Sequence, residues 1–446
     1  MIKKGFKILF FLIFSLVLIL PFVYSFTELN NRITLKGAVD LAEKPTLKYG
    51  NWFDGEFQSN YEKYINDNIG FRPIFVRIRN QVAYSFFDEI NAASVIRGKE
   101  NYLYERNYIK AFNGTDFIGA DSIYYKTRRI KLLQDSLQKM DKTLIVCLAA
   151  GKGSFYPQYF PEKYKLPPSD STNQKFYVKA FKELGVNHID FNKWFLEMKD
   201  TSRYILYPKY GIHWSEYGML LSVDSLVSYV EKKRKVNMPN LLLSNYKLSK
   251  DLNNSDYDIA DGLNLIFKLP VETMCYPDFV WENDSARKKP KVVVIADSFY
   301  WSMYGTGLWN NSFSPGGFWY YNRLVYPDSF EETLNVKDVN YWKAIENTDV
   351  FIVLVTEANL PKFSWGFVEN ALEAFSPDYD RSAPAKRIKV LSFEEELQKN
   401  ITNIKANENW MKEIKRKSKL MNISVDSMLI IDATWMIEYK KSQEKK

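Results

Sequence analysis

A serine that could act as a nucleophile stands at position 298, directly after an aspartate. The pair Asp297 and Ser298 follows the apolar run 292–296, which has the composition of a buried parallel strand. A serine at the carboxyl end of such a strand lies where open α/β sheets place their ligands, and backbone N–H groups beside it can stabilise an oxyanion. This context indicates acyl-transfer chemistry. An Asp-Ser pair that caps a helix would explain the same two residues.

A serine hydroxyl is a weak nucleophile unless a base accepts its proton. The chain contains two histidines, His188 and His213. His213 lies on a short loop just before Ser215, which we interpret as the N-cap of a helix, and a loop imidazole is available as a general base. His188 opens a predicted strand, where packing or hydrogen bonding is the more common role. We therefore expect His213 to be the partner of Ser298.

Alternating strands and helices must position these two residues. Four apolar runs predict buried strands, and helical segments separate them, which is typical of an α/β fold with a mainly parallel sheet. The strands are expected at 144–149, 188–191, 292–296 and 350–356, and the helices at 124–139, 174–184 and 216–233. Two amphipathic helices are expected earlier, at 57–69 and 74–87. The segment from about 234 to 290 breaks the alternation, and we interpret it as an insertion.

The amino terminus predicts a membrane segment. Lys3, Lys4 and Lys7 precede or open the apolar stretch 8–26, which is long enough to cross a bilayer as a helix. The lysines are expected to stay in the cytoplasm, so the rest of the chain would lie outside it. A cleaved signal peptide is the alternative. Both interpretations export the main domain.

Composition excludes several classes of function. The 61 basic residues are scattered among 53 acidic ones, so the net charge of +8 forms no basic tract and we expect no nucleic-acid partner. Two histidines, with Cys147 and Cys275, provide no Cys/His metal spacing. We expect no metal site and no cofactor.

Five short motifs, taken in order, resemble the SGNH hydrolase-like alginate O-acetyltransferase family, whose members acetylate polysaccharides. In that family an Asp-x-His-Trp motif precedes a Gly-Asp-Ser-Phe motif. The similarity extends over about residues 50 to 370. The segments that carry it are 52–57 with 70–72, 95–104, 151–161, 213–215 and 297–299.

The resemblance implies an SGNH-like three-layer domain in which Ser298 is the acyl-accepting nucleophile and His213 its base. It also implies that Tyr304 and Arg323 lie near the site, with Lys152 and Tyr156 lining the cleft. The acceptor would be an exported polysaccharide. A membrane-bound O-acyltransferase would supply the acetyl group, and the domain would lie in the periplasm or extracytoplasmic space, anchored in the inner membrane.

The sequence departs from the family at one important position. Gly211 stands where the family has the aspartate that orients the histidine, and Ala296 stands where the nucleophile motif usually has its glycine. Asp297, Asp190 and Glu216 are the replacement acids that we consider. Without such an acid, a non-catalytic glycan-binding scaffold becomes the alternative function. The same site with water as acceptor would be a carbohydrate acetylesterase.

The predicted organisation has four parts. Residues 1–27 form a transmembrane signal anchor and residues 28–105 a helical juxtamembrane region. Residues 106–370 form the catalytic α/β domain with its insertion, and residues 371–446 form a helical tail that follows a loop at about 382–386.

Overall fold

The computed structural model describes residues 4–25, 34–37, 41–47, 52–167, 169–331, 333–381, 393–420 and 424–443. These residues contain strands β1 Val95–Arg97, β2 Leu103–Glu105, β3 Thr143–Ala149, β4 His188–Asp190, β5 Leu241–Ser249, β6 Met274–Trp281, β7 Lys291–Ala296, β8 Ser314–Tyr320, β9 Leu324–Tyr326 and β10 Val350–Thr356. The predicted loop at 382–386 and the end of the apolar stretch at Phe26 lie outside the described residues.

Helices of the described part of the chain flank and connect these strands. Their bounds are Lys4–Ser25, Glu56–Asn68, Arg72–Phe86, Arg106–Asn113, Ala120–Gln138, Lys152–Phe155, Asn173–Leu184, Phe191–Met198, Glu216–Arg234, Asn254–Gly262, Tyr300–Gly305, Leu308–Asn311, Tyr341–Glu346, Phe367–Glu373, Phe393–Ala406, Glu408–Leu420 and Val425–Gln443.

Six of the strands form the central sheet, in the order β4-β3-β10-β7-β8-β9. All neighbours are parallel except β8 and β9. The register pairs Thr356 with Ala149, and Leu354 with Ala296. The carboxyl ends of β3, β10 and β7 therefore meet at one edge, which is where an open parallel sheet binds its ligands.

Apolar side chains cover both faces of this sheet. Ile145 and Cys147 of β3 pack into one core with the helices Phe191–Met198 and Glu216–Arg234. Leu144 and Val146 of the same strand face a second core, built with the helices Ala120–Gln138 and Asn173–Leu184. Because successive strand residues point to opposite faces, a run of Val, Ile and Leu can fill both cores. The result is a three-layer α/β domain, as predicted.

The four predicted strands and the main predicted helices are present, with ends within a few residues of those expected. Strands β1, β2, β8 and β9 were not predicted, and β1 and β2 lie in the region 28–105 that was expected to be helical. The segment Pro315-Gly316-Gly317 of β8 has low strand propensity, so its pattern was not recognised. Gly316 is needed there because a Cβ at this position would overlap the Val292 backbone of the neighbouring strand.

The inserted segment has its own small structure. Strands β5 and β6 pair antiparallel, and the helix Asn254–Gly262 lies in the chain between them. This helix packs its Tyr257, Ile259 and Ala260 side chains into the same core as the loop that carries His213. The insertion is therefore part of the core beside the sheet edge.

The chain ends as helices, as expected, with a separate apolar cluster around Ile404, Ile414 and Leu429. At the other end, the helix Lys4–Ser25 is long and apolar enough to cross a membrane, and its side chains are almost all exposed. The predicted domain boundaries near residues 27, 105 and 370 stay predictions.

Candidate active site

Ser298 lies in a turn immediately after β7, where Asp297 fixes the backbone. The Asp297 side chain is fully buried and accepts hydrogen bonds from the Thr356 N–H and hydroxyl at 2.9 Å each, and from the Phe299 N–H at 3.1 Å. Burial raises the pKa of Asp297, and these hydrogen bonds partly offset that effect. The helix that follows begins at Tyr300 without a side-chain cap. Asp297 thus joins β7 to β10 and holds the turn that presents Ser298.

His213 lies on the loop before the helix Glu216–Arg234, and both ends of this loop are fixed. Ser215 is the N-cap, as predicted, and its hydroxyl accepts the Gly218 N–H at 3.0 Å. The fully buried Trp214 donates its indole N–H to Ser302 at 2.9 Å, on the helix that follows the nucleophile turn. The loop carrying His213 is therefore linked directly to the segment carrying Ser298.

The two predicted residues lie in contact, and a carboxylate completes the chain of hydrogen bonds. His213 Nε2 is 3.0 Å from Ser298 Oγ, and His213 Nδ1 is 2.6 Å from Asp258 Oδ2. An ionised carboxylate only accepts hydrogen bonds, so Nδ1 carries the proton and Nε2 is free to accept the serine proton. This is the geometry of a Ser-His-Asp triad.

The surroundings of His213 favour its protonated form. Burial alone would lower the pKa of His213, but the hydrogen bond and charge of Asp258, followed by the charges of Asp297 and Glu105, raise it above its ordinary value. Glu105, at the end of β2, lies in the same cleft. Burial raises the pKa of Glu105 as well, and the charge of Asp258 adds to that effect. An imidazolium formed during reaction would thus be stabilised.

Asp258 comes from the inserted segment and was not predicted. Its helix, Asn254–Gly262, is bonded to the histidine loop at two points besides His213. Asp258 Oδ1 accepts the Ile212 N–H at 2.9 Å, and the Ala260 N–H donates to Tyr210 O at 3.2 Å. The available signal was the spacing of Tyr257 with Ala260 and of Ile259 with Leu263, three and four residues apart, which is typical of a helix with one buried face.

The three acids considered from sequence have other partners. Asp297 holds the nucleophile turn, as described above. Asp190 caps the helix Phe191–Met198 by accepting the Lys193 N–H at 3.0 Å. Glu216 is hydrogen-bonded to the Asn253 side chain. The carboxylate on His213 is Asp258 instead, because the insertion folds back against the histidine loop.

Two further residues lie at Ser298. Tyr321 follows β8 in the left-handed region, with φ 50°, and its N–H donates to Ala296 O at 2.8 Å. Tyr321 lines the same cleft as Ser298 and Asn359, and burial raises the pKa of Tyr321 to about 12. Asn359 donates its amide to Asp297 at 2.9 Å. Asn359 follows the predicted strand β10 by three residues, which was the one signal available for it.

The nucleophile turn offers a donor for an oxyanion. Within the described residues, the backbone N–H of Ser298 has no backbone or side-chain acceptor. The Tyr321 hydroxyl and the Asn359 amide lie on the same cleft. Donors held in place in this way can stabilise the negative charge of a tetrahedral intermediate.

The other sequence-predicted residues lie outside this cleft. Tyr304 is buried among aromatic rings and stacks on Trp309 at 5.4 Å, and Arg323 is exposed in the turn between β8 and β9. Tyr156 packs against Tyr102 at 5.0 Å. The packing of Tyr156 places it with the aromatic residues beside β1 and β2. These residues do not line the Ser298 cleft.

Lys152 is fully buried rather than at the cleft surface. Its Nζ donates to Lys209 O at 2.8 Å and to Gly211 O at 2.6 Å, which fixes the chain just before His213. Burial lowers the pKa of Lys152 to about 7, against the opposing charges of Asp258 and Glu272. Lys152 therefore holds the loop that carries His213 through hydrogen bonds to two of its backbone carbonyls.

His188, as predicted, has a local role. Its Nδ1 is 2.9 Å from Val186 O, and its ring packs against Phe181 at 5.5 Å.

The cleft at Ser298 has a volume of about 290 Å³. It is lined by Glu105, Asn107, Tyr108, Ile212, His213, Asp258, Ile259, Ser298, Tyr321 and Asn359. A larger cavity of about 630 Å³ lies along the helix Asn173–Leu184 and contains neither Ser298 nor His213. Among the described residues, no group of three or more His, Cys, Asp or Glu side chains is arranged to hold a metal ion.

Comparison with known proteins agrees with this architecture. Residues 95–245 match the family model described as the SGNH hydrolase-like domain of the acetyltransferase AlgX. The predicted family resemblance and the SGNH-like fold class are confirmed over that segment. No curated protein matches the chain.

Three solved structures are similar to parts of the chain. The O-acetyltransferase domain of Pseudomonas putida AlgJ is 14% identical, with a TM-score of 0.42, and the match covers 64% of this chain and 96% of that one. Pseudomonas aeruginosa AlgX is 12% identical, with a TM-score of 0.41 and coverages of 65% and 71%. Bacillus cereus PatB1 is 12% identical, with a TM-score of 0.38 and coverages of 61% and 99%.

Proposed function

We propose that this chain is a serine-dependent O-acetyltransferase that carries acetyl groups on Ser298 and transfers them to hydroxyls of an exported polysaccharide. The observation that carries the proposal is the continuous hydrogen bonding from Ser298 through His213 to Asp258. The match to an acetyltransferase domain family over residues 95–245 supports the acyl class of the reaction.

The first half-reaction loads the serine. Ser298 Oγ attacks the carbonyl carbon of an acetyl donor while His213 Nε2 takes the hydroxyl proton. Asp258 stabilises the imidazolium, and the Ser298 N–H and Tyr321 hydroxyl donate to the oxyanion. When the tetrahedral intermediate collapses, the bond to the donor breaks and His213 returns the proton to the leaving group. The product is acetyl-Ser298.

The second half-reaction transfers the acetyl group from Ser298 to the sugar. A sugar hydroxyl attacks the acetyl carbon, and His213 Nε2 takes the hydroxyl proton. The ester bond to Ser298 then breaks, and His213 gives the proton back to Ser298 Oγ. The same geometry serves both half-reactions, because the leaving group of the donor and the sugar hydroxyl each occupy the same place beside His213.

Asp258 supports catalysis over a binding-only scaffold. A histidine without an orienting carboxylate can adopt the wrong tautomer, and Gly211 removes the acid expected from the family. The Asp258 carboxylate, 2.6 Å from His213, fills that role from another segment of the chain. A scaffold would have no need for this arrangement, so the enzyme is favoured.

The remaining parts of the proposal concern location and supply. The helix Lys4–Ser25 would anchor the chain in the inner membrane, with the α/β domain on the periplasmic or extracytoplasmic side. A membrane-bound O-acyltransferase would deliver the acetyl group to Ser298. The family named by the matching model supports the extracytoplasmic placement of the domain. The acceptor in this proposal is the polysaccharide.

The test uses the full-length chain in detergent with p-nitrophenyl acetate as donor. We expect p-nitrophenol release and an acetylated peptide containing Ser298 in mass spectra. Ser298→Ala and His213→Ala should abolish both signals, whereas Ser314→Ala, on β8, should keep them. An unchanged rate in Ser298→Ala would refute the serine mechanism.

Added acceptor separates transfer from hydrolysis. With deacetylated oligosaccharides present, a transferase yields acetylated sugar at the expense of free acetate. An acetylesterase releases the same acetate with or without the sugar.

A further inference from the structure

One helix near the amino terminus exposes a continuous apolar stripe. Phe75, Ile78, Val82 and Phe86 of the helix Arg72–Phe86 are spaced by three or four residues and so lie on one face. All four are exposed, Phe75 by 50% and Phe86 by 80%. Single exposed apolar residues are ordinary, but a stripe along a whole helix marks a surface that contacts something else.

The opposite face of this helix is firmly packed. Asn80 and Ala83 are buried, and Asn80 Nδ2 donates to Leu263 O at 2.8 Å. At one flank of the helix, beside the stripe, Gln81 Oε1 accepts the N–H groups of Ile266 and Phe267 at 3.1 and 3.0 Å. The helix therefore has a defined orientation on the domain, and the apolar stripe faces outward.

Neighbouring segments also expose apolar side chains. The preceding helix, Glu56–Asn68, exposes Tyr61 and Ile65 one turn apart, and Tyr61 stacks on Phe57 at 5.5 Å. On the far side, Ile266 and Phe267 are exposed, Phe267 by 70%. We call this set, with the stripe on Arg72–Phe86, the apolar platform.

The platform begins at the end of the apolar helix Lys4–Ser25. Tyr24 stacks on Phe71 at 4.0 Å, and the Gly70 N–H donates to Ser25 Oγ at 2.7 Å. Gly70 is required at this approach because a Cβ there would overlap the carbonyl oxygen of Pro21. The stripe thus starts where a membrane-spanning helix would leave the bilayer.

We propose that the apolar platform lies in the outer surface of the membrane that the helix Lys4–Ser25 crosses, with lipid as its occupant. The proposal rests on the membrane-anchoring part of the proposed function. It is argued from continuity with that helix, and from composition. The helix Arg72–Phe86 contains no acidic residue and exposes Arg79, which suits anionic headgroups beside an apolar face.

This placement has a consequence for the active site. Leu263, Ile266 and Phe267 directly follow the helix Asn254–Gly262, which carries Asp258. The platform therefore holds the acid-bearing segment at the membrane surface through the hydrogen bonds of Asn80 and Gln81. The site would work at a fixed height above the bilayer, close to a donor delivered through it.

The experiment measures membrane depth in the full-length chain, reconstituted in phosphatidylcholine–phosphatidylglycerol vesicles. A nitrobenzoxadiazole label is attached at Val82→Cys or Phe86→Cys. Leu132→Cys is the matched control, because Leu132 is also apolar and 55% exposed but lies on a helix that packs on the other face of the sheet. The native cysteines are buried, so the unsubstituted chain gives the labelling background.

We expect the label at 82 and 86 to emit at shorter wavelength and to be quenched by lipids carrying a nitroxide near the headgroup. The label at 132 should behave as in water. Adding Phe75→Asp and Ile78→Asp should remove the quenching at 86, and circular dichroism checks that folding is kept.

Two outcomes would overturn the proposal. One is water-like emission at 82 and 86 while the helix Lys4–Ser25 is inserted, as protease protection reports. The other is shielding from aqueous iodide without quenching by lipid nitroxide, which would assign the surface to a protein. Neither readout requires turnover, so failure here is distinct from failure of the acetyl-transfer assay in detergent.

Discussion

Gly211 lies directly against the backbone of Ser255, and a Cβ at residue 211 would overlap the Ser255 carbonyl oxygen. The histidine loop thus has no room for a side chain at the position where the resembled family has its aspartate. The segment that occupies this space is the one that brings Asp258 to His213. The glycine and the displaced acid are two parts of one arrangement.

Gly211→Ala should therefore disturb both stability and activity. We expect a loss of about 1–3 kcal/mol in the free energy of unfolding, because the overlap is with backbone that cannot move away freely. The esterase rate should fall with it. Gly262→Ala is the control, since its Cβ would meet nothing within 4 Å. Thermal unfolding of both variants checks the prediction, and equal melting temperatures would contradict it.

Asp258→Asn should preserve the fold and impair the chemistry. An amide can hold the imidazole in the wrong tautomer, so we expect kcat for p-nitrophenyl acetate to fall by about 10³–10⁴-fold with little change in KM. Asp261→Asn on the same helix removes only the ion pair with Lys36 and should keep kcat. A loss of less than tenfold in Asp258→Asn would remove it from the triad.

Glu105→Gln should change the pH dependence. The negative charge of Glu105 raises the pKa of His213, so its removal lowers that pKa. His213 must be neutral to act as a base, and the acid limb of kcat/KM should therefore move to lower pH. The pH–rate profile is compared with that of Glu100→Gln, an exposed position in the preceding turn. A shift to higher pH would contradict the assignment.

Lys152→Met should remove a pH-dependent term in stability. The pKa of Lys152 is lowered by burial to about 7 in the folded chain, from 10.5. Between these values the unfolded chain binds more protons, so the lysine makes the folded state more stable as the pH rises. The stability of the wild type minus that of Lys152→Met should increase across this window, by at most about 1.4 kcal/mol per pH unit.

Urea unfolding at several pH values measures this difference. Lys139→Met, at an exposed helix end, is the control and should show no such trend. A difference that stays constant from pH 7 to 10 would mean that Lys152 is protonated throughout.

Tyr321→Phe should lower kcat by about 10²-fold, because it removes a hydroxyl donor from the cleft at Ser298 but keeps the ring against Trp365. Tyr326→Phe, on β9, controls for the loss of a phenol in the same region. Single-turnover acetylation of Ser298 is the measurement. If acetylation keeps its rate, Tyr321 has no part in stabilising the oxyanion.

Much of the fold could be predicted because the signals are local. The runs 144–149, 292–296 and 350–355 are apolar at every position, which is typical of strands buried on both faces. Ser298 follows one of these strands, and with two histidines in the chain few choices of base remained. The contact between Ser298 and His213 could therefore be predicted from the sequence.

The role of Asp258 could not be predicted from the sequence, because it depends on how the inserted segment packs. Asp256, Asp258 and Asp261 stand close together on one short helix, and their spacing does not tell which one faces the histidine. Asp256 accepts the Tyr276 hydroxyl, and Asp261 pairs with Lys36. The buried position of Lys152 could not be predicted for a related reason, since its two carbonyl partners lie more than 50 residues away along the chain.

The anchoring of the residues 263–267 by Asn80 and Gln81 has a practical consequence for recombinant work. A fragment that begins after Phe87 would keep every strand of the central sheet, with Ser298 and His213. It would lack the helix that supports the acid-bearing insertion. Weak turnover by such a shortened fragment would report a loosened Asp258, so preparations for kinetic work should retain the helix Arg72–Phe86.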